Sequence, residues 1–156
     1  MQTGLLHLHN ILRWVLLILL LVSLIRAFAG WQMKKNFSPG DGKLWLFTMI
    51  SAHITLLVGL YLVLMGRYGM LNTQLPAGTN LMKDKFYRFF WIEHPVAMIL
   101  SIVFITLGRG MVKKAVPAQT KYRKAFWFFL IALLLILAAV PWPFRDVVGR
   151  PWAPGM

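Results

Sequence analysis

The sequence contains no cysteine. That absence excludes disulfides, thiolate-bound metals, iron–sulfur clusters and the C-x-x-C-H attachment of c-type haem. Any cofactor would therefore be held non-covalently, with histidine as the obvious ligand. Acidic residues are almost missing as well: Asp41, Asp84, Glu93 and Asp146 face 17 lysines and arginines. With so few carboxylates and no serine at usable spacing from a histidine, no nucleophile–base constellation stands out, which argues against a hydrolytic enzyme. A proton-coupled exporter needs a buried carboxylate, and only Glu93 comes near one. Charged residues make up 13% of the 156 positions, roughly half the share of a soluble domain.

What fills the chain instead is apolar: 59% of the residues are hydrophobic, and the mean hydropathy is +0.67. Four apolar runs, at about 5–31, 44–66, 87–108 and 125–140, each approach the ~20 residues that cross a bilayer. Short basic or Gly/Pro segments separate them, such as "NFSPGDGK" and "KKAVPAQTKYRK". The expected fold is all-α: a single domain over 1–156, an up-and-down four-helix transmembrane bundle. "MQTGLLHLHN" has no basic residue ahead of its histidines, and no A-x-A-like site follows the leucines. The first run is therefore expected to be a permanent helix rather than a cleaved signal.

The net charge of +13 sits in the gaps between runs and forms no basic domain. It points to the lipid bilayer and to topology signals rather than to nucleic acid. Arg26, Lys34, Lys35, Lys43, Arg109, Lys113, Lys114, Lys121, Arg123 and Lys124 fall at the end holding loops 1–2 and 3–4; the other seven of the 17 fall at the opposite end. Ten against seven predicts those loops inside and both termini outside. Trp14, Trp31, Trp45, Tyr68, Tyr87, Trp91, Trp127, Trp142 and Trp152 are expected to mark the two interfaces.

The four histidines carry the chemistry. His53 falls about midway along the second run, on a stripe with Met49, Leu56, Leu57, Leu60 and Leu64, where nothing local is expected to satisfy its nitrogens. His94 is followed by Pro95, and the helix is expected to continue through a kink there that frees the Trp91 carbonyl and re-aims the imidazole. Its stripe of Met98, Ser101, Ile105 and Gly108 is small and polar enough to face inward. His7 and His9 point about 200° apart on a helix. His9 shares the more polar stripe with Arg13, Leu16, Leu20, Ser23 and Ala27, while His7 lies with Trp14, Ile18 and Leu21, a stripe suited to lipid. Arg13 either snorkels or pairs with an acidic group of a buried ligand, such as a haem propionate.

Depth along the helices places His53 near the bilayer centre, His94 roughly 6 Å and His9 roughly 12 Å toward the outer face. If two imidazoles share one iron, His94 is the common partner. His9 and His53 both stay open as the second ligand, and the greater cost of an unpaired imidazole at depth favours His53. Neutral imidazoles, an apolar surround and a compensating arginine are what a bis-histidine haem requires. A non-haem zinc or copper site built from His7, His9, Glu93 and His94 is the alternative, and a purely structural subunit of a larger assembly is another.

Taken together, "HLHNILRW", "HITLLVGL", "EHPVAMILSIVFITLGR" and "AVPWPFR", spanning His7 to Arg145, resemble a family of small bacterial four-helix membrane proteins described as cytochrome b. The resemblance implies haem b, one or two per chain, bound by histidines on the spans. His53 and His94 are the positions it favours, with His7 and His9 as further candidates. The leading expectation is a haem b protein that passes electrons within the bacterial cytoplasmic membrane, with a place as a subunit of a respiratory assembly left open. A quinone partner is compatible with this, although no residue marks a quinone pocket.

Overall fold

Four helices, each long and apolar enough to cross a bilayer, make up the computed structural model, which describes residues 2–75 and 77–153. They are α1 (Gln2–Gln32), α2 (Pro39–Met65), α3 (Lys85–Lys113) and α4 (Ala118–Ala139). No strand occurs among the described residues. The chain is a multi-pass, all-α membrane bundle, the architecture expected from its apolar runs. Helices satisfy their own backbone hydrogen bonds, which hydrocarbon cannot do for them.

Two helices start earlier than hydropathy predicts, and each for a local reason. The Ser38 hydroxyl accepts from the Asp41 amide at 3.1 Å and donates to the Asp41 carboxylate at 2.7 Å, with Pro39 in the first turn. This N-cap begins α2 five residues before the apolar run at Leu44. Likewise, the polar stretch after Pro117 is already helical, because Tyr122 within it is buried in the bundle.

α1 packs on α2 and α4, and α3 packs on the same two, so α1 and α3 lie across the bundle from each other. The inward stripe of α1 is the one its periodicity predicts: Leu16, Leu20, Ser23 and Ala27 are buried, while Ile18 and Leu21 face outward. Trp45 departs from expectation. It is fully buried against Phe37, Tyr122 and Phe129, so it is a core residue and no interfacial marker.

A polar tie closes the end of the bundle that holds loops 1–2 and 3–4. Asp41 accepts from Arg26 Nε (2.9 Å) and Nη2 (2.8 Å) and from the Tyr122 hydroxyl (2.6 Å), joining α1, α2 and α4. A turn farther in, the Ser23 and Thr48 hydroxyls bond at 2.8 Å between α1 and α2. Close approach is enforced beside this tie, since a Cβ on Gly30 would lie 2.5 Å from the Tyr122 ring. Gly30→Ala must push α1 from α4 and is expected to destabilise the bundle by about 1–3 kcal/mol. Unfolding in detergent measures it, and an unchanged midpoint would contradict the tight fit.

α3 is not uniform. Residues Phe89–Glu93 form a π-turn, in which the His94 amide bonds back five residues to the Phe89 carbonyl. Regular helix resumes over His94–Gly110. The helix does run through Pro95 as expected, and the irregularity takes the form of one wide turn placed just before it.

Candidate functional site

The opposite end of the bundle, where α1 and α3 begin and α2 and α4 finish, gathers two of the histidines. His9 projects from the inward stripe of α1 against α2, where a Cβ on Gly59 would stand 3.0 Å from its Cε1. An added methyl would press on the ring, so the glycine gives the imidazole its room. His94 follows the π-turn on α3, and its Nδ1 lies 2.7 Å from the carbonyl of Ala139, the last residue of α4. That carbonyl, at a helix terminus, has no partner in its own helix. Because a carbonyl only accepts, Nδ1 carries the proton and Nε2 keeps a free lone pair. Metal-ligating histidines are oriented in this way, by a bond from the nitrogen that does not bind.

The two rings face each other across the bundle with centroids 6.4 Å apart and planes 77° apart. Two imidazoles bound to one metal ion at about 2 Å per bond have centres roughly 6 Å apart, so the spacing suits a shared ion. The neighbouring helices carry small residues toward this end, Thr55 and Gly59 on α2 and Ala139 on α4, which leaves width between them. A flat macrocycle needs such width.

Unmet polar atoms concentrate at the same place. Of the six buried side-chain nitrogens and oxygens without a hydrogen-bond partner among the described residues, His9 Nδ1, Asn10 Oδ1 and Arg13 Nε fall within five consecutive positions. Buried polar groups are normally satisfied, so such a cluster needs partners, a water or a ligand, from outside the described residues. The haem implied by the sequence fits these residues: two facing imidazoles, one with its tautomer fixed, orphaned donors and acceptors beside them, and cations nearby.

Arg13 is the first of those cations. Its Nη2 donates to the Trp152 carbonyl at 3.0 Å, as does the Trp14 indole at 2.8 Å. The guanidinium lies over the Trp14 and Trp142 rings, in a cluster closed by Trp152. It is thus partly engaged by the C-terminal segment, with Nε still free. Arg145, the second, donates to the Ala138 and Val140 carbonyls and covers the Phe89 ring, which in turn packs on His94.

The remaining candidates lie elsewhere. His53 is exposed on the outer, lipid-facing side of α2. Its Nδ1 lies 2.8 Å from the Met49 carbonyl one turn back, so a local partner does exist, contrary to expectation. His7 is half-buried, outside the His9–His94 pair. Glu93 is exposed and bonds Arg88 at 2.7 Å. No three His, Asp or Glu side chains among the described residues come together as a metal site, so the His7, His9, Glu93 and His94 cluster is not assembled.

Sequence reasoning missed Gly59, the Ala139 carbonyl and Arg145 as parts of this site. A backbone carbonyl leaves no mark in a sequence. A glycine among leucines reads as helix packing, and Arg145 counts only as a topology charge. No protein family, no curated protein and no solved structure matches this chain.

Proposed function

We propose that this chain is a haem b protein that passes single electrons within a bacterial cytoplasmic membrane, with His9 and His94 as the residues that would hold the iron. One observation carries the reading: two half-buried imidazoles from opposite helices stand 6.4 Å apart in a largely apolar bundle. When bound, haem supplies a reversible one-electron iron couple. The protein's share is positional and electrostatic. The Ala139 carbonyl holds the His94 ring in one tautomer, Gly59 gives the His9 ring its place, and lipid-facing helices exclude water. Arg13 and Arg145 supply positive charge for propionates. The basic asymmetry supports loops 1–2 and 3–4 inside and both termini outside, which puts the pair toward the outer face; Met1 and Met156 themselves lie outside the described residues. An electron carrier needs a donor and an acceptor, so subunits of a respiratory assembly, or a quinone, are the fitting partners.

The test is a reduced-minus-oxidised spectrum of protein purified from haem-replete cells. A low-spin b-type spectrum is expected, and a haem-free preparation overturns the proposal. Two variants refine it. Gly59→Val fills the space of the His9 ring and is expected to convert low-spin haem to high-spin while helix content stays the same. Arg13→Ala removes a positive charge that favours the reduced form, and the midpoint potential is expected to fall by on the order of tens of millivolts. A rise in potential would remove Arg13 from the haem's surroundings.

A further inference from the structure

The opposite end of the bundle carries a second feature, which does not depend on the haem reading. Between α2 and α3 an open groove of ≈ 260 Å³ is lined by Leu46, Met49, Thr106, Arg109, Gly110 and Lys113. Arg109 Nε is buried there without a hydrogen-bond partner. Lys113, four residues on, adds a second positive charge, and like charges at this spacing repel on a helix. The Thr106 hydroxyl, bonded to its own helix at Ile102, is uncharged and offsets neither cation. A Cβ on Gly110 would meet nothing within 4 Å, so the groove is open on that side.

Nor can a carboxylate of this chain neutralise the pair. Asp41 is taken by Arg26, Ser38 and Tyr122, and Glu93 by Arg88. Asp84 caps the start of α3, and Asp146 lines a depression with Arg88 and Arg145 at the other end of the bundle. The anion must come from outside the protein. The cations lie at a helix end, at the level of the lipid headgroups, while the wall formed by Leu46 and Met49 continues into the hydrocarbon. A basic pocket between transmembrane helices with an apolar wall beneath it suits a phosphate that carries acyl chains.

We infer that this groove binds the phosphate headgroup of an anionic phospholipid, held by Arg109 and Lys113, with an acyl chain laid along Leu46 and Met49. The test is native mass spectrometry of the full chain released from bilayers of equal phosphatidylglycerol and phosphatidylcholine. Phosphatidylglycerol is expected to be retained preferentially. Lys113→Gln, an exposed change without risk to the fold, is expected to lower that retention about fivefold, the worth of one basic residue at an anionic surface, and Arg109→Gln/Lys113→Gln roughly twentyfold. Arg123→Gln/Lys124→Gln removes the same charge from exposed positions on α4 at the same end of the bundle and is expected to change little. Equal retention of the two lipids, or equal loss in the α4 control, would reduce the groove to general surface attraction and overturn the inference. Displacement of the lipid by millimolar inorganic phosphate would assign the site to the free anion and overturn it too.

Discussion

Protein purified with His94→Ala is expected to carry less than about a tenth of the wild-type haem, because a ligand and its orienting bond are lost together. His9→Ala is expected to retain some haem in a high-spin state, one of the two imidazoles that would hold the iron being gone. His53→Ala and His7→Ala are expected to leave the low-spin spectrum unchanged. The contrast follows from direction rather than depth: His9 and His94 face each other inside the bundle, whereas His53 faces outward with its Nδ1 against the Met49 carbonyl. Optical spectra of the four variants, normalised to protein, decide the matter. A low-spin spectrum that survives in His9→Ala and collapses in His53→Ala would transfer the second ligand to α2.

The largest stability effect is expected at the far end, from Asp41→Ala. The carboxylate is 3% exposed and collects bonds from Arg26, Ser38 and Tyr122. Bonds to a charged group contribute roughly 1.5–3 kcal/mol each, but Arg26 is half-exposed and recovers water when its partner goes. Tyr122 keeps the Asn36 carbonyl at 3.2 Å. With those two losses softened, the net destabilisation is about 2–4 kcal/mol. Tyr122→Phe is expected to cost less, about 1 kcal/mol, and the double variant less than the sum, because the two changes remove one shared bond. Denaturant unfolding in detergent measures all three. A loss below ~0.5 kcal/mol for Asp41→Ala would mean that the α1–α2–α4 tie contributes nothing net.

How much of this could be read from the sequence depends on what a residue's neighbours reveal. The inward stripe of α1 was legible, since Ser23 and Ala27 break the pattern of leucines and isoleucines at helical spacing. The stripe below His94 was legible through Ser101 and Gly108 in the same way. His53 was not, because in a membrane helix both the core-facing and the lipid-facing sides are apolar, and leucines around a histidine do not tell which side it is on. The start of α2 was written in Ser38, Pro39 and Asp41, but hydropathy is blind to a cap. The mate of His94 is a backbone carbonyl 45 residues away, and no local pattern encodes it. The pairing of His9 with His94 stayed open for a related reason: depth along a helix is countable, whereas the facing of two helices is set by their packing.

The wide turn at Phe89–Glu93 also has a meaning for changes in chain length. A π-turn holds one residue more than the α-helix around it, so deleting a single residue within it restores regular winding instead of breaking the helix. Lys85–Arg88 before it and His94 and everything after it would keep their faces, because the residue lost is the one the wide turn had absorbed. Phe89, which links the Arg145 guanidinium to the His94 ring, sits at the seam. At this point in the chain, a gap of one residue is taken up by the turn itself. Elsewhere in the four helices the same gap would carry every following side chain off its face.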